Sequence, residues 1–110
     1  MGDSSGANAV SKDFVDPFIN TEVTAERFLM LAAEKMRERA VDRDVEQERS
    51  MGKIVAIFNI ARGTGLSETD GWVFMDILKM VRGNTGPYNE DDWIDKIAYS
   101  ALAAESASRA

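Results

Sequence analysis

Ser67-Glu68-Thr69-Asp70-Gly71-Trp72-Val73-Phe74-Met75-Asp76-Ile77-Leu78-Lys79-Met80-Val81-Arg82-Gly83 is the stretch on which the fold turns. Ser67 with Asp70 three residues on makes a capping-box-like start, in which each side chain satisfies the other residue's backbone N–H. Phe74, Ile77, Leu78 and Val81 then recur at the spacing of one helical face, and Trp72 and Met75 widen it. Gly83-Asn84-Thr85-Gly86-Pro87 stops the helix. An apolar stripe of this breadth needs other helices to cover it.

The flanking sequence supplies them. Upstream, the pattern predicts a helix over Glu48 to Ala61 with Met51, Ile54, Val55 and Phe58 as its stripe, closed by Gly63-Thr64-Gly65. Before it, a helix over Thr24 to Ala40 has Thr24 as N-cap and Phe28, Leu31, Ala32 and Met36 on one face. The charged run Val41 to Arg49 either extends that helix or forms a loop. Downstream, a helix from Asn89 to about Ala104 turns Ile94, Ile97, Ala98 and Ala101 inward, with Trp93 near its opening. No segment reads as a strand. The expected fold is all-α: a four-helix bundle-like domain over residues 24–110, completed by homodimerisation. Residues 1–23 are expected to form a flexible arm and lead-in. Gly, Ser and Asn dominate its first part, and Phe14-Val15-Asp16-Pro17-Phe18-Ile19 follows as an extended segment.

Composition narrows the chemistry. The 110 residues contain no histidine and no cysteine, which excludes a Ser-His-Asp triad, a histidine-aspartate phosphohydrolase centre, a thiol nucleophile and a disulfide. Zinc loses its usual ligands. What remains is oxygen chemistry, with Asp and Glu on magnesium or manganese and Lys and Arg beside them. Thirteen basic against nineteen acidic residues give a formal charge of −6, so direct nucleic-acid binding is not expected. No apolar run is long enough to cross a bilayer, and Met1 to Gly6 lacks the features of a signal peptide, so the expected location is the cytoplasm, without membrane association.

Acidic residues recur in pairs. Glu34 and Glu38 lie one turn apart on the first helix, and Asp92 and Asp95 share a face of the last. Meeting across a bundle, the four give an oxygen-lined site for divalent cations, to which Glu48 adds a further ligand. The plain account competes. Glu34 and Glu38 sit among Lys35, Arg37 and Arg39 as on any solvated face, and Asp91 and Asp92 suit a first helical turn without any function. Asp95 lies beyond that turn, where capping no longer explains it. Asp76, Lys79 and Arg82 follow at three-residue steps, either as an intrahelical Asp76–Lys79 ion pair plus a dipole-complementing Arg82, or with Lys79 and Arg82 neutralising phosphate, for which Arg39 and Arg49 are weaker candidates. Tyr99, one turn past Asp95, either packs in the core, bonds a site carboxylate or stacks on a base. Trp72 and Trp93 read as packing residues. No phosphate-cradling glycine motif is present.

Glu48-Arg49-Ser50-Met51, Val55 to Asn59, Leu66-Ser67-Glu68, Gly71 to Met75, Leu78 to Arg82, and Asp92-Trp93-Ile94-Asp95 with Ala98-Tyr99 and Ala101-Leu102 together resemble an uncharacterised family of small phage and prophage proteins. That family is similar in turn to the MazG-like all-α nucleotide pyrophosphohydrolases, which cleave nucleoside triphosphates to monophosphate and pyrophosphate. The resemblance implies magnesium or manganese held by Glu34, Glu38, Asp92 and Asp95. Glu48 would be ligand or catalytic base, and Lys79, Arg82 and Tyr99 would meet the substrate, with a (deoxy)nucleoside triphosphate such as dGTP as candidate. It also implies a homodimer or a homotetramer built as a dimer of dimers. Asp92 stands where the enzymes carry Glu, and the two pairs lie farther apart in sequence than is usual for them. The alternative expectation is a small acidic interaction protein that inhibits or sequesters a host factor without catalysis.

Overall fold

A computed structural model describes residues 22–42 and 50–110, with side chains from 22–39 and 50–110. Residues 1–21 and 43–49 lie outside this description, and with them most of the expected arm, Glu48, and the question of whether the charged run is helical beyond Asp42. The described residues form four helices and no strand: α1 (Ala25–Asp42), α2 (Ser50–Arg62), α3 (Glu68–Gly83) and α4 (Glu90–Ser108).

Local chemistry sets the helix ends. The Thr24 hydroxyl accepts from the Arg27 N–H at 3.2 Å and caps α1. Ser67 and Asp70 form the full capping box of α3, with reciprocal bonds of 3.1 and 2.9 Å. The Asn89 side chain accepts from the Asp91 N–H at 3.0 Å at the start of α4. Between α2 and α3, Gly63 takes φ +68°, and the Asn59 amide ties down the loop that follows. Asn59 donates to the Leu66 carbonyl at 2.9 Å and accepts from the Leu66 N–H at 2.9 Å and the Thr64 hydroxyl at 2.7 Å.

The helices pack in the spatial order α1–α4–α3–α2, since close backbone contact joins α1 to α4, α4 to α3 and α3 to α2. α3 and α4 are antiparallel. Thr69 and Ser106 share a hydrogen bond at one end, and Gly83 lets the Trp93 ring approach at the other. α1 is held to α4 by Arg27–Glu90 at 2.8 Å near their starts. The core is small: Ala32, Met51, Val55, Trp72, Ile94 and Ala98. The all-α, bundle-like expectation holds for the described residues, while several expected stripes are corrected. Ile54 and Phe58 of α2, Phe74, Ile77 and Val81 of α3, and Ala101 of α4 are exposed. α3 instead turns Trp72, Met75, Asp76 and Lys79 toward α4.

Gly71 sits where α2 crosses α3. A Cβ there would lie 2.8 Å from Met51 Cγ, inside van der Waals contact with a buried side chain. Gly71→Ala is therefore expected to destabilise the protein by about 1–3 kcal/mol from overpacking, despite the ~1 kcal/mol that alanine gains in a helix. Chemical denaturation checks this, and a variant more stable than wild type would mean that Met51 moves aside freely.

Candidate functional site

The face of α1 against α4 carries Ala32 and then, at further helical steps, Lys35 and Arg39. Glu34 and Glu38 precede these two residues by one position each, which rotates them about 100° around the axis and away from the contact. Glu34 pairs with Arg37 at 3.1 Å within α1, and Glu38 is exposed. The helix that was expected to bring two carboxylates to Asp95 brings two cations.

Asp95 is the buried charge of the molecule among the described residues, 8 % exposed. Lys35 Nζ lies 2.7 Å from its Oδ1 and Arg39 Nη2 3.6 Å from the same oxygen. Lys79, from α3, reaches Oδ2 at 3.0 Å and Asp92 Oδ1 at 3.9 Å. Lys79 is itself well covered, its side chain 14 % exposed, whereas Lys35 and Arg39 keep about twice that exposure at the rim. Burial works against the ionised Asp95, but the Lys35 and Lys79 ammoniums outweigh it and hold its pKa below the ordinary carboxylate value. Three cations thus converge on two carboxylates where α1, α3 and α4 meet, leaving a positive balance at the heart of an acidic protein.

A second polar layer lies one turn further along α4. Asp76 accepts from the Ser100 hydroxyl and pairs with Lys96 at 2.9 Å. Burial raises the Asp76 pKa, Ser100 and Lys96 lower it by more, and the net shift is downward. The intrahelical Asp76–Lys79 pair expected from spacing is not formed, because each residue finds a partner on α4 instead. Tyr99 takes the packing role, stacked on Trp72 with ring centroids 6.0 Å apart and planes 25° from parallel. Trp72 Nε1 donates to Glu68 Oε2 at 3.1 Å. Arg82 is exposed at the end of α3.

Of the expected metal ligands, Asp92 and Asp95 come together around Lys79, while Glu34 and Glu38 do not join them. Among the described residues no three acidic side chains gather as a cation site. Among the described residues this donor set does not fit a resident magnesium or manganese ion, since Asp95 already faces the Lys35 and Lys79 ammonium groups. Lys35 is the site residue that the sequence did not single out, and Arg39 was only a weaker candidate for neutralising phosphate. Their signal was present, because they prolong the line of α1 that runs through half-buried Phe28 and buried Ala32.

These features define a small all-α domain whose polar centre is a buried ion-pair cluster. More particularly, the chain belongs to the family described as Domain of unknown function (DUF6378), whose model matches residues 27–107 and so spans every residue of the cluster. No curated protein and no solved structure matches the chain. No helix among the described residues is long and apolar enough to cross a membrane.

Proposed function

We propose that the cluster around Asp95 is a phosphate-recognition centre and that the protein is a nucleotide pyrophosphohydrolase, splitting a (deoxy)nucleoside triphosphate into monophosphate and pyrophosphate. The observation that carries this reading is the surplus of cation over carboxylate around buried Asp95, in a chain that is acidic overall. Lys35 and Arg39, at the rim, meet the terminal phosphates, and Arg39 offers them a planar fork of donors. Lys79 is held in place by Asp92 and Asp95, so its charge is already oriented when negative charge develops on the phosphate oxygens. dGTP remains the first substrate to try. Magnesium or manganese would enter with the triphosphate rather than as a resident ion, and a working homodimer or homotetramer is part of the proposal.

A panel of nucleoside and deoxynucleoside triphosphates, incubated with the protein in magnesium, manganese or chelator, tests it by chromatography of the products. Wild type is expected to release pyrophosphate and monophosphate, with Lys79→Gln reducing kcat/KM by about 100-fold and Lys35→Gln acting mainly on KM. Far-UV circular dichroism controls for folding. A wild type without product on any nucleotide, or a Lys79→Gln variant of full activity, sinks the reading. In its place would stand the acidic interaction protein, which the outward placement of Glu34 and Glu38, away from Asp92 and Asp95, favours.

A further inference from the structure

α3 has two apolar faces, and only one is covered. Val73, Phe74, Ile77, Met80 and Val81 form an exposed stripe on the side away from α4, with Phe74 70 % and Ile77 46 % exposed. Beside it α2 leaves Ile54, Ile57 and Phe58 exposed, although a helix apolar on nearly all sides belongs in an interior. From these exposures and ordinary side-chain areas the surface is roughly 700 Å². That exceeds the roughly 300–600 Å² patch of a typical monomer and approaches the ~800 Å² that each partner of a stable complex covers.

The α3 stripe is also symmetric about its own centre. Phe74 and Met80 stand three residues either side of Ile77, and Val73 and Val81 stand four either side. Turned end for end about Ile77, the stripe sets Phe74 against Met80 and Val73 against Val81, each pair made twice, as in an isologous contact. No stripe residue is charged, so two copies of an acidic chain meet here without repulsion. The charged residues of α3 that flank it, Asp70 near the start and Arg82 in the last turn, come closer to their opposites in an antiparallel pair, and the helix dipoles also oppose.

We propose that this face is the interface with a second copy of the chain. α3 pairs antiparallel with the partner's α3 about a two-fold axis near Ile77, Phe74 packs on the partner's Met80, Val73 packs on the partner's Val81, and α2 flanks the contact. The inference gives the proposed homodimer a particular face and so deepens that reading, but its test needs no nucleotide, and loss of hydrolysis would leave the interface standing.

The absence of cysteine makes a clean test possible on the full chain. Ile77→Cys places a thiol on the axis, and mild oxidation is expected to convert most of it to a disulfide-linked dimer within minutes. Glu105→Cys, on exposed α4 surface, should cross-link at least tenfold more slowly. Sedimentation equilibrium should find the wild type dimeric at micromolar concentration. Ile77→Glu and Ile77→Lys, each bringing like charges together, should raise the dissociation constant roughly 100-fold or more, and an equimolar mixture of the two should dimerise again. That rescue separates a lost interface from a lost fold. Three results would each overturn the proposal. They are a wild type that stays monomeric, a dimer untouched by Ile77→Glu, and a monomeric Ile77→Cys variant whose thiol the chain's own residues 1–21 shield from reagents.

Discussion

Asp95→Ala is expected to cost about 3–5 kcal/mol of folding stability, a large part of what a domain of this size has. The loss comes from what stays behind. Lys79 would keep its covered ammonium with only Asp92 at 3.9 Å, and Lys35 and Arg39 would lose the carboxylate that draws α1 onto α4. Asp95→Asn, of nearly equal size, should recover little, which distinguishes charge from cavity. Urea denaturation followed by tryptophan fluorescence measures both, and a loss under about 1 kcal/mol would show the cluster to be mere decoration. The pH dependence follows in sign. The folded-state pKa values of Asp95 and Asp76 are both lowered, so their contribution is fully present above the unfolded carboxylate value of about 3.9 and drains away as pH falls through the folded values. The acid limb of the stability profile should be shallower in Asp95→Asn than in wild type.

Trp72→Ala is expected to cost a further-reaching 3–5 kcal/mol or so, enough to leave the chain partly unfolded at room temperature. Trp72 is 8 % exposed, and its ring stacks on Tyr99. Its Nε1–H holds Glu68, whose carboxylate lies near Gly52 of α2, so the one side chain braces α3 against both neighbours. Trp72→Phe retains the stack and gives up the hydrogen bond and some volume, for an expected loss of about 1–2 kcal/mol. Thermal melts by circular dichroism compare the two, and equal losses would mean that Glu68 matters more than Tyr99.

The helices and their caps were legible in sequence because they depend on neighbours three and four residues away. Ser67 with Asp70, Thr24 and Asn89 all do what their chemistry predicts. Which face of each helix is inside was less legible, for a physical reason. α3 is apolar on two sides, and hydrophobicity alone ranks Phe74, Ile77 and Val81 above the side that carries Asp76 and Lys79. Tertiary ion pairs with Lys96, Asp95 and Asp92 reverse that order. The same blindness affected α1, where Lys35 and Arg39 looked like solvated charges until α4 supplied a carboxylate. Asp95 is the exception: its position past the first turn, flanked by Ile94, marked it as unusual without reference to any other helix. A charged residue that continues an apolar line is the pattern to look for.

The order α1–α4–α3–α2 also bears on how the molecule comes into being. The first helix has no packed neighbour among the described residues until the last one exists, so during synthesis Lys35 and Arg39 must wait for Asp95, while α2 and α3 can join as soon as both leave the ribosome. Assembly therefore ends at the ion-pair cluster, where Asp95, in the second turn of α4, fastens α1 to the rest of the described fold. Transient melting along the reverse of that path opens the charged centre while the α2–α3 corner stays closed.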